Sequence, residues 1–294
     1  MIAPSPMRRP CLLVVGCGDI GLRVLRLLRG RWRLLALTSS AGRVAELRAA
    51  GAVPIVADLD DAAALRRLAG LADAVLHLAP PPGAGATDPR SAHLVRALMR
   101  SQRCRRLVYA STTGVYGDAG GARFDETRAL APATDRARRR VDAERRLRAF
   151  GRDHGVAVTI LRIPGIYAAD RLGGDPRERV RRATPVLRAQ DDVYTNHIHA
   201  DDLARACVAA LMRGLPQRIV HASDDSELKM GEYFDLAADL GGLARPPRIT
   251  RAQAAQQLGP LLLSFMSESR RLDNRRLKQE LRLRLRYPTV ADGL

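Results

Sequence analysis

Short apolar runs alternate with longer amphipathic segments over the first two-thirds of the chain, and this rhythm restricts the fold more than any other feature. The runs have the length of buried strands, and the segments between them carry apolar residues at helical spacing. Strands and helices that alternate in this way form βαβ units around a parallel sheet. The predicted strands are Leu12–Val15, Leu34–Leu37, Val53–Val56, Ala74–Leu78, Leu107–Ala110, Val156–Ile163 and Arg218–His221.

A glycine motif separates the first predicted strand from the first predicted helix. It fits the pattern GxGxxG and consists of Gly16, Cys17, Gly18, Asp19, Ile20 and Gly21. In this setting the first glycine permits a tight turn, the second lets a pyrophosphate approach the backbone, and the third lets helix and strand pack closely. The helix N-terminus adds a positive dipole end for phosphates. The motif therefore predicts a dinucleotide site, and the alternative is a glycine-rich turn without a ligand.

Rhythm and motif together predict an α/β protein with a doubly wound parallel sheet of the Rossmann type. The rhythm changes after Pro164, where charged loops and helices with intervening turns replace it. We therefore predict a nucleotide-binding domain over residues 1–168, with a contribution from about 196–222. A smaller, mostly helical substrate lobe is predicted over residues 169–195 and 223–294.

The residues after the second predicted strand bear on the choice between two nicotinamide cofactors. An acidic residue there would accept the ribose 2′-hydroxyl of NAD, whereas hydroxyls and a guanidinium suit the 2′-phosphate of NADP. The chain has Thr38, Ser39 and Ser40, followed by Arg43. We therefore predict NADP, with NAD as the second choice. The alternative is that a serine only caps a helix and that Arg43 is solvated.

Two further loops at strand ends are predicted to contact the cofactor. Asp58 and Leu59 follow the third strand and are placed to contact the adenine, although Asp58 could equally be only a helix N-cap. Ala79 and Pro80 follow the fourth strand and would line the cofactor's path, because open α/β sheets bind ligands at the carboxyl ends of their strands.

Three later segments are similar to one enzyme family. Ser111–Gly117 resembles the serine/threonine motif of extended short-chain dehydrogenases/reductases, and Arg162–Tyr167 and Asn196–Asp202 resemble two of its later segments. Over roughly residues 11–222 the chain resembles the NAD-dependent epimerase/dehydratase branch, and its late part is similar to an uncharacterised bacterial subgroup of epimerases. The resemblance implies that Thr112 hydrogen-bonds the reacting oxygen and that Pro164 contacts the cofactor.

The Tyr-x-x-x-Lys pair of that family is absent from this chain. In that family a glutamate often follows the lysine by four residues. If Glu144 is that glutamate, Arg140 is at the lysine position and Arg136 is at the tyrosine position, and no tyrosine lies between Tyr116 and Tyr167. Arginine stays protonated and cannot serve as a base. The resemblance leaves Arg140 able to hold the nicotinamide ribose, as the lysine does. The alternative is that Arg140 belongs to a solvated arginine face.

Tyr116 is the nearest tyrosine that could replace the missing acid/base, and Tyr167 is a weaker candidate. The alternative for Tyr116 is that it only packs as part of its turn. His197–Asp202 holds two histidines and two aspartates, but we predict no metal there because metal ligands must converge from one face. Asp201 is instead expected to cap the following helix.

Composition excludes several classes of protein. The net charge of +18 is typical of nucleic-acid binders, but only Lys229 and Lys278 of the 49 basic residues are lysine, the arginines are spread over most helices, and aromatic residues make up only 4%. Nucleic-acid binding is therefore not predicted. No apolar stretch approaches the roughly 20 residues of a membrane span. Four scattered cysteines, and no apolar signal in Met1–Pro10, favour a cytoplasmic location.

Two functions remain in competition. The first is an NAD(P)-dependent oxidoreductase or epimerase, monomeric or homodimeric, that acts on a nucleotide sugar or a similar polar substrate. The second is a non-catalytic NADP(H)-binding sensor or regulator on the same fold. The first is favoured because Ser111–Gly117 is retained, and the arginines of residues 171–182 fit an anionic substrate.

Overall fold

The computed structural model describes residues 9–294. Residues 1–8 lie outside the described part, and with them most of the segment in which no secretory signal is predicted. The strands are β1 Cys11–Val15, β2 Arg33–Thr38, β3 Val53–Val56, β4 Ala74–His77, β5 Arg106–Thr112, β6 Arg123–Phe124, β7 Ala157–Ile163, β8 Gly165–Tyr167, β9 Val186–Leu187, β10 Tyr194–Thr195, β11 His197–His199, β12 Arg218–His221, β13 Leu228–Lys229, β14 Arg248–Ile249 and β15 Arg271–Leu272.

The helices lie between these strands and in the C-terminal part of the chain. They are α1 Asp19–Leu28, α2 Val44–Ala49, α3 Pro89–Leu98, α4 Asp135–His154, α5 Pro176–Arg181, α6 Ala200–Arg213, α7 Met230–Leu240, α8 Arg251–Gln257, α9 Pro260–Met266, α10 Arg275–Gln279 and α11 Val290–Gly293. Three short 3₁₀ helices cover Ala41–Arg43, Ala64–Leu68 and Thr113–Tyr116. Within residues 9–294, no helix combines the length and the apolar character that crossing a bilayer requires.

Seven strands form one parallel sheet in the order β12-β7-β5-β4-β1-β2-β3. Leu12 of β1 is paired with Leu34 of β2 on one side and with Ala74 of β4 on the other. The chain therefore starts in the middle of the sheet, runs to one edge and then builds the other half, which is the doubly wound arrangement. The predicted Rossmann-type fold is confirmed.

The sheet follows from the apolar runs that predicted it. Residues 12–15 of β1 are fully buried, as expected for a central parallel strand that is covered on both faces. Helix α1 turns Val24, Leu25 and Leu28 away from solvent, so its apolar face has the 3.6-residue period.

The helix that the N-cap alternative for Asp58 would place directly after the third strand does not begin there. The segment Asp58–Asp61 is a turn, and the following helix is only the 3₁₀ stretch Ala64–Leu68. The Asp58 carboxylate accepts the N–H of Asp60, and the Asp61 carboxylate accepts the N–H of Ala63 and Ala64. Aspartate side chains that take backbone N–H groups in this way compete with regular helix formation.

The chain divides into two compact units. The first unit runs to Ala110 and includes Arg139–Ile160 and Cys207–Arg218, and the second consists of Ser111–Arg138, Leu161–Ala206 and Ile219–Leu294. The second unit has its own apolar core, which draws on β8, β9, α7 and α8. The division by role into a cofactor domain and a substrate lobe stays a prediction.

Candidate functional site

The glycine motif forms a tight loop at the end of β1. Gly16 has φ +80°, and a Cβ there would lie 2.4 Å from the backbone nitrogen of Ala79. A Cβ at Gly18 would have no atom within 4 Å, whereas one at Gly21 would lie 3.3 Å from Cγ1 of Val14. The three positions thus provide a turn, an open approach to the backbone and a close helix–strand contact. This cradle fits a dinucleotide pyrophosphate.

The first turn of α1 completes the loop. Asp19 and Ile20 are half-buried there. The carboxylate of Asp19 pairs with the buried Arg23 guanidinium at 3.1 Å, one turn along the same helix. An acidic side chain in the first helical turn stabilises the positive end of the helix dipole.

Arg43 lies against the glycine loop. Its guanidinium donates to the carbonyl of Cys17 at 2.6 Å and to the carboxylate of Glu46 at 2.8 Å. The alternative of a merely solvated Arg43 therefore does not describe its position. Glu46, which no sequence motif indicated, brings a negative charge to the same guanidinium and would oppose a 2′-phosphate.

The three hydroxyl residues before Arg43 differ in exposure. Thr38 is buried, and its hydroxyl accepts the N–H of Ser40 at 3.2 Å, which shapes the turn. Ser39 and Ser40 are exposed, and Ser40 is the N-cap position of the following 3₁₀ helix without a side-chain cap bond. The predicted capping role for a serine is thus not seen at Ser40.

The other two predicted cofactor loops lie in the same unit. Asp58 uses its carboxylate in the turn described above and does not cap a helix, while Leu59 is buried. Ala79 packs under Gly16, and Pro80 is exposed. Their contact with an adenine or a nicotinamide stays a prediction.

Arg140 is held by β5. Its guanidinium donates to the hydroxyl of Tyr109 at 3.1 Å and to the carbonyl of Ala110 at 2.7 Å. Burial raises the pKa of Tyr109 to about 12, so this phenol is neutral. Arg139 is also buried, whereas Arg138 is exposed. The solvated face that was the alternative for these arginines therefore describes Arg138 alone.

The second unit contains a cavity of about 570 Å³, a size typical of small-molecule sites. Thr112 and Pro164 line it, and so does Arg136, the residue predicted to occupy the tyrosine position. The hydroxyl of Thr112 accepts the N–H of Gly114 at 3.3 Å, so its own proton remains available as a donor.

Arginines dominate the charge of this cavity. Five line it, against three carboxylates, and they are Arg136, Arg171, Arg179, Arg182 and Arg270. Burial lowers the pKa of Arg179 to about 10, which still leaves it charged at neutral pH. Two of the guanidiniums lie over rings, with Arg179 at 4.3 Å from Phe234 and Arg136 at 5.6 Å from Phe265. The cavity is therefore suited to an anionic ligand.

Tyr116 does not line this cavity. Its side chain is fully buried, and its hydroxyl lies 2.6 Å from Nε2 of His221 and 2.7 Å from the guanidinium of Arg162. Nδ1 of His221 donates to the carbonyl of Asp273 at 2.9 Å, which leaves Nε2 to accept the tyrosine proton. Burial lowers the pKa of His221 to about 4, so it stays neutral. These contacts favour the alternative in which Tyr116 only packs.

The histidines and aspartates of residues 197–202 face separate partners. His197 stacks on Tyr233 with ring centroids 3.9 Å apart and lines the cavity. Nδ1 of His199 accepts the N–H of Asp201 at 3.2 Å, so His199 and not Asp201 caps α6. The buried Asp202 accepts the N–H groups of residues 286 and 287 and thereby holds the C-terminal segment.

Several cavity residues carry no signal in the sequence. Tyr194, Tyr233 and Phe265 come from β10, α7 and α9, three short elements far apart in the chain. No motif joins them, because only the tertiary fold brings them together. Arg270, which the sequence analysis also missed, donates to the carbonyl of Gly117 at 2.6 Å.

Several solved structures are similar to this chain in fold. A conserved protein of unknown function from Silicibacter pomeroyi is 29% identical, with a TM-score of 0.81 over 97% of this chain and 96% of that chain. A nucleoside-diphosphate-sugar epimerase from Pseudomonas aeruginosa is 19% identical, with a TM-score of 0.79 over 97% and 95%. A UDP-glucose 4-epimerase from Thermotoga maritima, solved with UDP-glucose, is 19% identical, with a TM-score of 0.77 over 96% of each chain. The search of curated proteins finds no match.

A family model provides the assignment that these structures alone do not. The model described as "NAD dependent epimerase/dehydratase family" matches residues 12–222, which is well over half of the chain. That span includes the glycine loop, Thr112 and Arg140. The chain therefore belongs to the NAD-dependent epimerase/dehydratase family.

Proposed function

We propose that this protein is an NAD(P)-dependent oxidoreductase or epimerase whose substrate is a nucleotide sugar or a similar anionic molecule. One observation carries the proposal: Thr112 lines the same cavity as five arginines. A hydroxyl donor can hydrogen-bond a reacting oxygen, and guanidiniums pair with phosphates through two parallel bonds. Two of the similar structures, from Pseudomonas aeruginosa and Thermotoga maritima, are nucleotide-sugar epimerases by description.

The glycine loop supports the cofactor part of the proposal. A bound nicotinamide cofactor would supply the acceptor and donor of hydride. Gly16 and Gly18 would leave room for its pyrophosphate, and Arg140 would donate to its ribose hydroxyls. The backbone and phenol contacts of Arg140 fix the guanidinium before any ligand binds.

We propose NADP as the preferred cofactor because Arg43 is held beside the glycine loop. Calorimetry with NADP and NAD tests this preference, and tighter NAD binding would contradict it. Arg43→Ala should weaken NADP binding roughly tenfold and leave NAD binding nearly unchanged, since one charge-assisted phosphate contact contributes about 1.4 kcal/mol or more. Arg48→Ala, at an exposed position of α2, the helix that follows Arg43, is the matched control.

The substrate part is tested by turnover. The purified protein is incubated with NADP or NAD and with a nucleotide-sugar panel of UDP-glucose, UDP-glucuronic acid and dTDP-glucose, and products are identified by NMR. The proposal expects a new sugar product from at least one member. The absence of product from every member, with the cofactor bound, would favour the second function.

That second function is a non-catalytic NADP(H) sensor. Two observations together favour it: Arg136 is the residue at the tyrosine position, and Tyr116 is fully buried. A sensor would bind the cofactor at the glycine loop and would need no proton carrier. Its signature would be tight NADP(H) binding that the nucleotide-sugar panel does not alter and no chemistry follows.

A further inference from the structure

We propose that Tyr194 is the proton carrier of this enzyme and takes the place of the tyrosine that Arg136 has replaced. This inference rests on the proposed function. All six tyrosines of the chain lie in the described part. Three of them are fully buried, and their hydroxyls contact Arg140, His221 or the Thr289 carbonyl; these are Tyr109, Tyr116 and Tyr167. Tyr287 packs against His199, with ring centroids 3.8 Å apart and the rings tilted by 38°, and it does not line the cavity.

Two tyrosines therefore share the cavity with Thr112, and they differ in their surroundings. Tyr233 is 7% exposed and stacked on His197, and burial with the nearby Asp224 carboxyl raises its pKa, which opposes loss of its proton. Tyr194 is half-buried. Within residues 9–294 its hydroxyl makes no hydrogen bond, so a bound ligand would not have to displace a partner.

The ring of Tyr194 is fixed by its neighbours. β10 is antiparallel to β13, and Tyr194 is directly opposite Lys229 in the register. On another side the ring packs on Gly121, where φ is +77° and a Cβ would lie 3.2 Å from the ring atom Cδ2. A side chain held in this way keeps its hydroxyl in one place, which proton transfer requires.

Two cations flank the same ring. The guanidinium carbon of Arg271 lies 4.8 Å from the ring centroid, and Nζ of Lys229 lies 5.8 Å from it. Backbone carbonyls orient both cations, since Arg271 donates to Gly121 at 2.8 Å and Lys229 to Ala189 at 3.2 Å. Fixed positive charge stabilises negative charge that develops on a neighbouring group during reaction. Arg271 also faces the Glu227 carboxylate at 3.5 Å, and together the two cations would provide what a lysine provides beside the family's tyrosine.

The step proposed for Tyr194 is the oxidation of a substrate alcohol (a carbinol) to a carbonyl. A bound nicotinamide cofactor would supply the acceptor of the hydride that the carbinol carbon loses. Tyr194, entering as its anion, would take the proton of the substrate hydroxyl, so that the C–O bond becomes a carbonyl, and Thr112 would donate a hydrogen bond to that oxygen. In the reverse direction Tyr194 would return the proton to the oxygen while the reduced cofactor supplies the hydride.

The test is Tyr194→Phe in the full-length protein with NADP and the nucleotide-sugar panel. We expect turnover to fall roughly 10²–10⁴-fold, the usual contribution of a positioned acid/base. The dissociation constants of NADP and of the panel member that reacts should stay within about threefold, because only a reacting-state contact is removed. The melting temperature should be unchanged, and the residual rate should lose the pH dependence of the wild type. Tyr287→Phe, outside the cavity, is the control and should keep wild-type turnover.

Three results would overturn the assignment, and they are distinguishable. Wild-type activity with a loss of less than about threefold in Tyr194→Phe would exclude Tyr194 and leave the proposed function intact. A large loss in Tyr233→Phe, with Tyr194→Phe still active, would move the role to Tyr233. If the wild type itself converts no panel member, the proposed function fails and the assignment fails with it.

Discussion

The glycine loop of the first unit and the cavity of the second unit depart from the family pattern to very different degrees. At the loop, Gly16, Gly18 and Gly21 each occupy a backbone position that a larger residue could not fill without cost to packing or to ligand approach. In the cavity, Thr112 matches the family motif predicted from the sequence, but Arg136 is the residue predicted at the tyrosine position. A backbone cradle admits few residues at each place, whereas any phenol within reach can carry a proton. Sequence motifs therefore report the cofactor cradle better than the proton carrier.

The largest effect is expected at Gly16. An alanine there would combine a φ of +80° with a Cβ 2.4 Å from the nitrogen of Ala79. Strain of this kind costs about 3 kcal/mol. We expect Gly16→Ala to lower the free energy of unfolding by that amount, measured by urea titration, and to abolish NADP binding.

Gly18→Ala is the matched comparison within the same loop. Its Cβ would meet no protein atom within 4 Å, so the free energy of unfolding should change by no more than about 1 kcal/mol. NADP binding should nevertheless weaken at least about tenfold, because the methyl group fills the space where the backbone meets the pyrophosphate. Unchanged binding in calorimetry would mean that this loop is only a turn.

Thr112→Val probes the retained part of the cavity. Loss of a donor to the reacting oxygen typically lowers turnover by roughly 10²-fold or more. We expect that loss in the panel assay, with NADP affinity near the wild-type value. Thr127→Val, at an exposed loop position, should leave both unchanged. A fall in NADP affinity equal to the fall in turnover would contradict a role confined to the reacting oxygen.

Arg140→Ala tests the predicted contact between Arg140 and the cofactor. Removing its guanidinium should weaken NADP binding by about tenfold, since charge-assisted bonds to the ribose are lost. Arg138→Ala, exposed on the same helix and paired with Asp135, supplies the control for a change of charge. Equal losses of NADP affinity in the two variants would show that Arg140 acts only through its positive charge and not through contacts with the ribose.

The smallest effect on turnover is expected for Tyr116→Phe. The variant removes the partner of the buried His221 and Arg162, so the free energy of unfolding should fall by about 1 kcal/mol. Turnover should stay within about threefold of the wild type. A loss of roughly 10²-fold without a loss of stability would return Tyr116 to the role of proton carrier.

Much of the central fold could be predicted from the sequence because it rests on local pattern. The seven strands of the sheet were predicted within two residues, since each contains a short apolar run, as in the fully buried Cys11–Val15. Strands of two residues, such as Tyr194–Thr195 and Arg271–Leu272, are too short for any periodicity to show. The turn at Asp58–Asp61 could not be predicted either, because the same aspartates are typical of a helix start and of a turn.

In the candidate site, too, residues that follow a local spacing could be predicted, whereas residues that tertiary contacts bring together could not. Arg140 was placed by its distance from Glu144 along one helix, and the structure gives it fixed contacts at the end of β5. Tyr194 was not singled out because the observations that favour it depend on Lys229 and Arg271, which only strand pairing and packing bring to its ring. No spacing in the chain encodes that arrangement.

The central claim is that this chain retains the chemistry of its family after losing the tyrosine. The most direct measurement is the near-ultraviolet absorbance of reduced nicotinamide after rapid mixing of the NADP-loaded protein with the nucleotide-sugar panel. The account predicts a transient or lasting rise in that absorbance with at least one member, and in Tyr194→Phe a rise that is slower by roughly 10²–10⁴-fold. Saturating NADP binding without any rise and without any sugar product would contradict it.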